Sequence, residues 1–147
     1  MKIDFPKKPA LFALLFLTFV SLSAMAQSVL QIDHATVDAA FGKGMPLFET
    51  NSFKVHASRR ETPGLAEIHT RDTDIVYVLE GAATLVTGGK ALRARTVGPE
   101  EVRGDAIEDG QVRHIVKGDV LVIPNGVPHW FKEVSSPLLY YVVKVTQ

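Results

Sequence analysis

From Asn51 onward the chain is written in short runs of β-branched and aromatic residues, separated by Gly, Pro, Asp and Asn and recurring roughly every eight to twelve positions. That rhythm predicts an all-β sandwich or barrel, with strands at residues 52–58, 65–70, 74–79, 82–87, 91–97, 111–116, 119–123, 128–133 and 138–145. Gly88-Gly89 falls between two of these and is expected to form a hairpin turn, where positive φ favours glycine. Residues 97–110 carry Glu100, Glu101, Asp105, Glu108 and Asp109, so they read as a long solvated connection with room for one strand around Val102. On the last strand Tyr140, Val142 and Lys144 share one face, and Leu139, Tyr141, Val143 and Val145 share the other, which is the expected core face. Trp130 and Phe131 point to opposite sides of their strand, so one of them should line the interior.

The N-terminal third follows other rules. Lys2, Lys7 and Lys8 precede an apolar run from Ala10 to Val20, and Ala24-Met25-Ala26 closes the segment with a small-residue box. The run is short for a bilayer span, which needs about 20 apolar residues. Residues 1–26 are therefore expected to be a secretory signal peptide cleaved before Gln27, with a retained anchor as the alternative. Residues 27–50 form a lead-in with one helix, in which Val37, Ala40 and Phe41 lie at helical spacing, Asp33 serves as N-cap, and Gly42 and Gly44 supply the stop. Residues 51–147 are left as the β domain.

Composition excludes several functions. The chain has 16 Lys and Arg against 16 Asp and Glu; removing residues 1–26 takes away three Lys and one Asp, leaving 13 against 15, a net charge of −2. A near-neutral exported domain lacks the basic footprint of a nucleic-acid binder, and no membrane association is expected after signal cleavage. With no Cys there are no disulfides, thiolate metal sites or thiol nucleophiles, although a periplasmic or secreted location would permit disulfides. Nor is there a G-x-S-x-G elbow or a phosphate-cradling glycine loop. Metal chemistry or plain binding of a small molecule remains.

Two segments carry the residues for it. In Glu67-Ile68-His69 the carboxylate and imidazole are two apart on a predicted strand, so they project side by side. Asp74 follows the turn-like Thr70-Arg71-Asp72-Thr73, and antiparallel pairing of the two flanking strands would return it to the same patch. The second segment runs from Gly118 through Pro124, Asn125 and Gly126 to His129: a strand, a turn, and an imidazole opening the next strand.

These segments resemble the two motifs of the cupin superfamily, G-x5-H-x-H-x3/4-E-x6-G and G-x5-P-x-G-x2-H-x3-N. The second matches at Gly118, Pro124, Gly126 and His129, with Glu133 in place of the terminal Asn. The first matches at His69 and Gly81, with Asp74 in place of Glu and Glu67 in place of the first His. The resemblance implies a jelly-roll β-barrel, a homodimer that covers its outer sheet, and one divalent ion on His69, Asp74 and His129 with Glu67 as a fourth candidate. Two imidazoles with carboxylates favour Fe or Mn, and such sites also accept Zn, Ni or Cu. The resemblance is compatible with a metal-dependent enzyme of oxygenase, isomerase or lyase type, and also with a non-catalytic barrel that binds a small ligand or a metal, as a sensor would. In the enzyme reading, Glu67 or His56 would serve as base. His56, Arg59, Arg60, Arg113 and His114 are further candidates for a clamp or proton shuttle, though a surface strand residue is the more common reading of each.

Overall fold

In a computed structural model, which describes residues 28–147, one helix and thirteen strands are formed. Helix α1 (His34–Lys43) begins where Asp33 accepts a hydrogen bond from the Thr36 N–H at 2.9 Å. It ends at Gly44, whose φ of 67° lets its N–H reach back to the Ala40 carbonyl. Gly42, expected to share in the stop, lies within the helix instead. The predicted signal segment lies outside the described residues, and no helix among those described is long and apolar enough to cross a membrane.

The strands form two main antiparallel sheets. One has the order β1 (Met45–Glu49), β2 (Phe53–Arg60), β13 (Leu138–Thr146), β4 (Asp72–Glu80), β11 (Val120–Ile123). The other runs β10 (Gln111–Val116), β5 (Ala82–Thr87), β12 (His129–Val134), β3 (Ala66–His69), β8 (Glu101–Gly104), β7 (Arg95–Gly98). Their inner faces meet in one apolar cluster that includes Val76, Val78, Leu85, Phe131, Leu138 and Tyr140, which makes the architecture a jelly-roll barrel. Alternation along β4 explains how the chain builds it: Asp72, Asp74, Val76 and Val78 turn inward and are buried, while Ile75 and Tyr77 turn out and are exposed.

Several expectations are corrected. Residues 45–49, read as part of the lead-in, form β1, an edge strand where Pro46 is tolerated because an edge leaves one side of the ladder unpaired. Gly88-Gly89 is not a hairpin turn: β5 pairs with β10, and the next strand, β6 (Lys90–Leu92), pairs with β9 (Ala106–Glu108). The two glycines instead form a bend opposite Asp109-Gly110, where a Cβ on Gly89 would collide with the Glu108 carbonyl. The expected 91–97 strand is broken at Arg93, which has φ of 48°, and the expected wet connection holds both β8 and β9. On β13 the buried face is that of Leu138, Tyr140 and Val142; Tyr141 faces out and meets Phe41 of α1 edge-on at 4.9 Å. Of the two neighbours of His129, Phe131 is buried inward, and Trp130 donates from Nε1 to the Gly64 carbonyl at 2.8 Å.

Candidate metal centre

Three strands place the centre. The register sets Glu67 of β3 opposite both His129 of β12 and Arg103 of β8, and His69 opposite Glu101 of β8. One row across the sheet is thus Arg103, Glu67, His129, and the next begins Glu101, His69. Asp74 arrives differently from the expectation: β3 and β4 do not pair but belong to different sheets, and the chain crosses the barrel between them at Thr70-Arg71. Asp74 therefore faces the imidazoles from the opposite wall. The turn of the second segment is fastened to the first, since the Gly126 N–H donates to the His69 carbonyl at 2.8 Å.

Glu67, His69, Asp74 and His129 are 8, 8, 5 and 3 % exposed. Buried polar side chains need partners, and here those partners also set the tautomers. Nδ1 of His129 lies 3.1 Å from the Val127 carbonyl, which can only accept, so Nδ1 carries the proton and Nε2 keeps its lone pair. Nδ1 of His69 lies 3.0 Å from Glu101 Oε2, an ion-pair contact that favours the proton on that nitrogen. Both free nitrogens then face Glu67 Oε2, at 3.6 Å from His69 and 3.8 Å from His129. One donor atom from each of Glu67, His69 and His129 lies within 4.8 Å of the others.

This donor set fits a metal ion. Ligands about 2.1 Å from a shared ion lie roughly 3 to 3.5 Å apart, so the spacings found need only slight contraction. The residues are poor as a stand-alone hydrogen-bonded group, because each Nε2 is unprotonated and Glu67 Oε2 is an acceptor. Glu67 divides its oxygens: Oε1 accepts from Arg60 Nη2 at 2.7 Å and pairs with Arg103 Nη1 at 2.6 Å, while Oε2 faces the imidazoles. Burial alone would raise the Glu67 pKa, but the Arg60 and Arg103 charges held against Oε1 outweigh it and keep the carboxyl well below its usual range. Burial pushes the His129 pKa down, which keeps the ring neutral as a ligand requires.

Asp74 is less free. Both its oxygens accept from Lys144 Nζ, at 2.8 and 2.9 Å, although Oδ2 also lies 3.4 Å from His69 Nε2. The residues line a cavity of about 300 Å³ that also reaches Ser58, Tyr140 and His56. His56 sits on its edge, with Nε2 bonded to Glu49 at 2.8 Å. Of the other sequence candidates, Arg60 enters the cavity, donating from Nε to the Tyr140 hydroxyl at 3.0 Å and stacking 4.4 Å above the Phe131 ring. Arg59 bonds Glu61, Arg113 bonds Thr87 and Gln111, and His114 meets Thr84, all away from the centre. Sequence reasoning missed Glu101 and Arg103 as site residues. The signal was their spacing two apart around Val102, which marks one face of a strand, hidden inside a charge run that resembled a loop.

The cupin family's sequence profile matches residues 26–147, most of the chain. The chain belongs to the cupin family. Cupins commonly bind a divalent metal, and this cupin offers a buried Glu, His, His set for one. No curated protein matches the sequence. Among solved structures, this cupin is similar to a protein from Bacillus halodurans at 15% identity and TM-score 0.56, with 80% of this chain and 81% of that one covered. A Klebsiella pneumoniae protein with a double-stranded β-helix domain matches at 19% identity and TM-score 0.52, covering 82% and 91%. KdgF from Halomonas sp. matches at 17% identity and TM-score 0.50, covering 69% and 77%. At these identities the likeness is one of fold.

Proposed function

We propose that this cupin is an exported metalloprotein that holds one divalent ion, Fe or Mn before Zn, Ni or Cu, on Glu67, His69 and His129, and acts on a small oxygenated molecule. The observation that carries the reading is the convergence of both Nε2 atoms on Glu67 Oε2, at 3.6 and 3.8 Å, while each Nδ1 lies against an acceptor, the Val127 carbonyl or Glu101 Oε2. Bound there, the ion would supply Lewis acidity toward a substrate oxygen and, if Fe, access to oxygen chemistry. The chain's own residues orient and enclose the substrate. Phe131, Val76 and Val142 keep the cavity wall apolar, the Tyr140 hydroxyl faces the same space, and His56 with Glu49 stands at its edge as a proton-accepting pair. Oxygenase, isomerase and lyase reactions all use such a set.

A second reading, a non-catalytic binding or sensor barrel, draws on the ion pairs. Glu67 is already neutralised by Arg60 and Arg103, and Asp74 by Lys144, so the site is charge-balanced without an ion. Elemental mass spectrometry of protein purified from its native compartment separates the two. About one equivalent of Fe or Mn, lost in His129→Ala, is expected under the first reading; unchanged metal content in His129→Ala would overturn the assignment. A mature N-terminus at Gln27 in the same sample is the expected sign of export.

Two copies are proposed to pair. The outer face left bare beside α1 carries Ile75, Tyr77, Val120 and Val122, at 37, 44, 63 and 63 % exposure. The register brings Val120 against Tyr77 and Val122 against Ile75, so the four form one patch ending at the open edge of β11.

A further inference from the structure

We infer that the cavity receives a small anion through a carboxylate held by the guanidinium groups of Arg60 and Arg103, while a neighbouring oxygen of the same molecule reaches the ion. The inference rests on the metal reading above and adds the class of ligand to it.

The first ground is charge. The ionised side chains lining the cavity are Glu67, Asp74 and Glu101 against Arg60, Arg103 and Lys144, three of each sign. The imidazoles of His69 and His129 add no charge while they act as neutral ligands. A divalent ion therefore leaves two positive charges uncompensated inside walls that include Val76, Ile123, Phe131 and Val142. Excess charge in such surroundings is costly. A neutral polyol leaves it in place, a monocarboxylate cancels half, and a dicarboxylate or an ionised 2-hydroxy acid cancels more.

The second ground is the state of each cation. Lys144 is committed to both oxygens of Asp74. The arginines are committed on one side only. Arg60 gives Nε to Tyr140 and Nη2 to Glu67 Oε1, which leaves Nη1 uncommitted. Arg103 places Nη1 against the same Oε1, and its Nε 2.6 Å from Glu101 Oε1 in an ion pair without hydrogen-bond alignment, which leaves Nη2. Because both guanidinium groups converge on one carboxylate oxygen whose twin faces the donor set, they sit one carboxylate away from the ion position. At 19 and 30 % side-chain exposure they are more open to solvent than the imidazoles, at 9 and 3 %. A planar fork suits a carboxylate better than it suits a hydroxyl.

The test uses the full chain, Mn(II), and two small probes of matched skeleton, pyruvate and hydroxyacetone. Mn(II) uptake is read by electron paramagnetic resonance and probe binding by calorimetry, on wild type, Arg60→Gln and Arg103→Gln. Losing a charge-assisted hydrogen bond costs about tenfold or more in affinity, so wild type is expected to prefer pyruvate at least about tenfold, and either variant to keep no more than about threefold of that preference. Mn(II) binding should persist in both variants, since the other arginine still holds Oε1. A carboxylate preference that survives in both variants, or none in wild type, overturns the inference while leaving the metal reading intact. Failure of wild type to take up Mn(II) overturns both. If one variant does not fold, the other decides.

Discussion

At the scale of single residues, the proposed metal site would depend on groups that do not themselves serve as ligands. Glu101 fixes the tautomer of His69, and partners of this kind are typically worth about 10- to 100-fold in metal affinity. Glu101→Ala is expected to weaken metal binding by that range in a chelator competition, with the fold retained. Acid should act on the metal-free protein through two groups in the same direction. The Glu67 pKa is lowered from the usual 4.5, so the stabilisation from its ion pairs is present above that value and is lost as pH falls toward the folded-state value. The His129 pKa is lowered from 6.5, so below that pH the unfolded chain takes up the proton first and unfolding is favoured further. Urea midpoints are expected to fall below about pH 6.5 through His129, a step absent in His129→Gln, and to fall further below about pH 4.5 through Glu67; a midpoint independent of pH in either window would contradict the corresponding assignment.

At the scale of elements, the inner faces of the two sheets carry stability. Leu138, fully buried, opens β13 beneath the cavity, and Leu138→Ala is expected to cost about 2 to 5 kcal/mol in chemical denaturation. How these elements could be read from sequence varied with the kind of signal each carries. Period-two alternation with bounding turn residues identified β5, β10, β11 and β13 nearly to the residue, because those strands are rich in β-branched residues. The strand expected around Val102 is β8, but its inner face went unread, because Glu101 and Arg103 point inward as charged partners of the donor residues and make that face as polar as a loop. Alternation also chose the wrong face of β13, since Lys144 and the Tyr140 hydroxyl make the buried side look wetter than the outer side under α1. Which residues could meet at the centre was legible from motif spacing. That Asp74 comes from the facing sheet was not, since the two-residue crossing at Thr70-Arg71 is identical in composition to a hairpin turn.

At the scale of the whole molecule, the apolar face around β11 is the surface through which two copies are proposed to pair. Replacing Val122, at the middle of that patch, with Lys puts a charge where a second copy would pack and is expected to convert dimer to monomer in sedimentation velocity; a wild-type protein that sediments as a monomer would rule the pairing out. The barrel also has a mechanical character that follows from where its donors hang. Glu67, His69 and His129 all belong to one sheet, and Asp74, the single acidic residue facing them from the other, is tethered to Lys144 within its own sheet. An ion seated this way rides on one half of a clamshell instead of riveting the halves together.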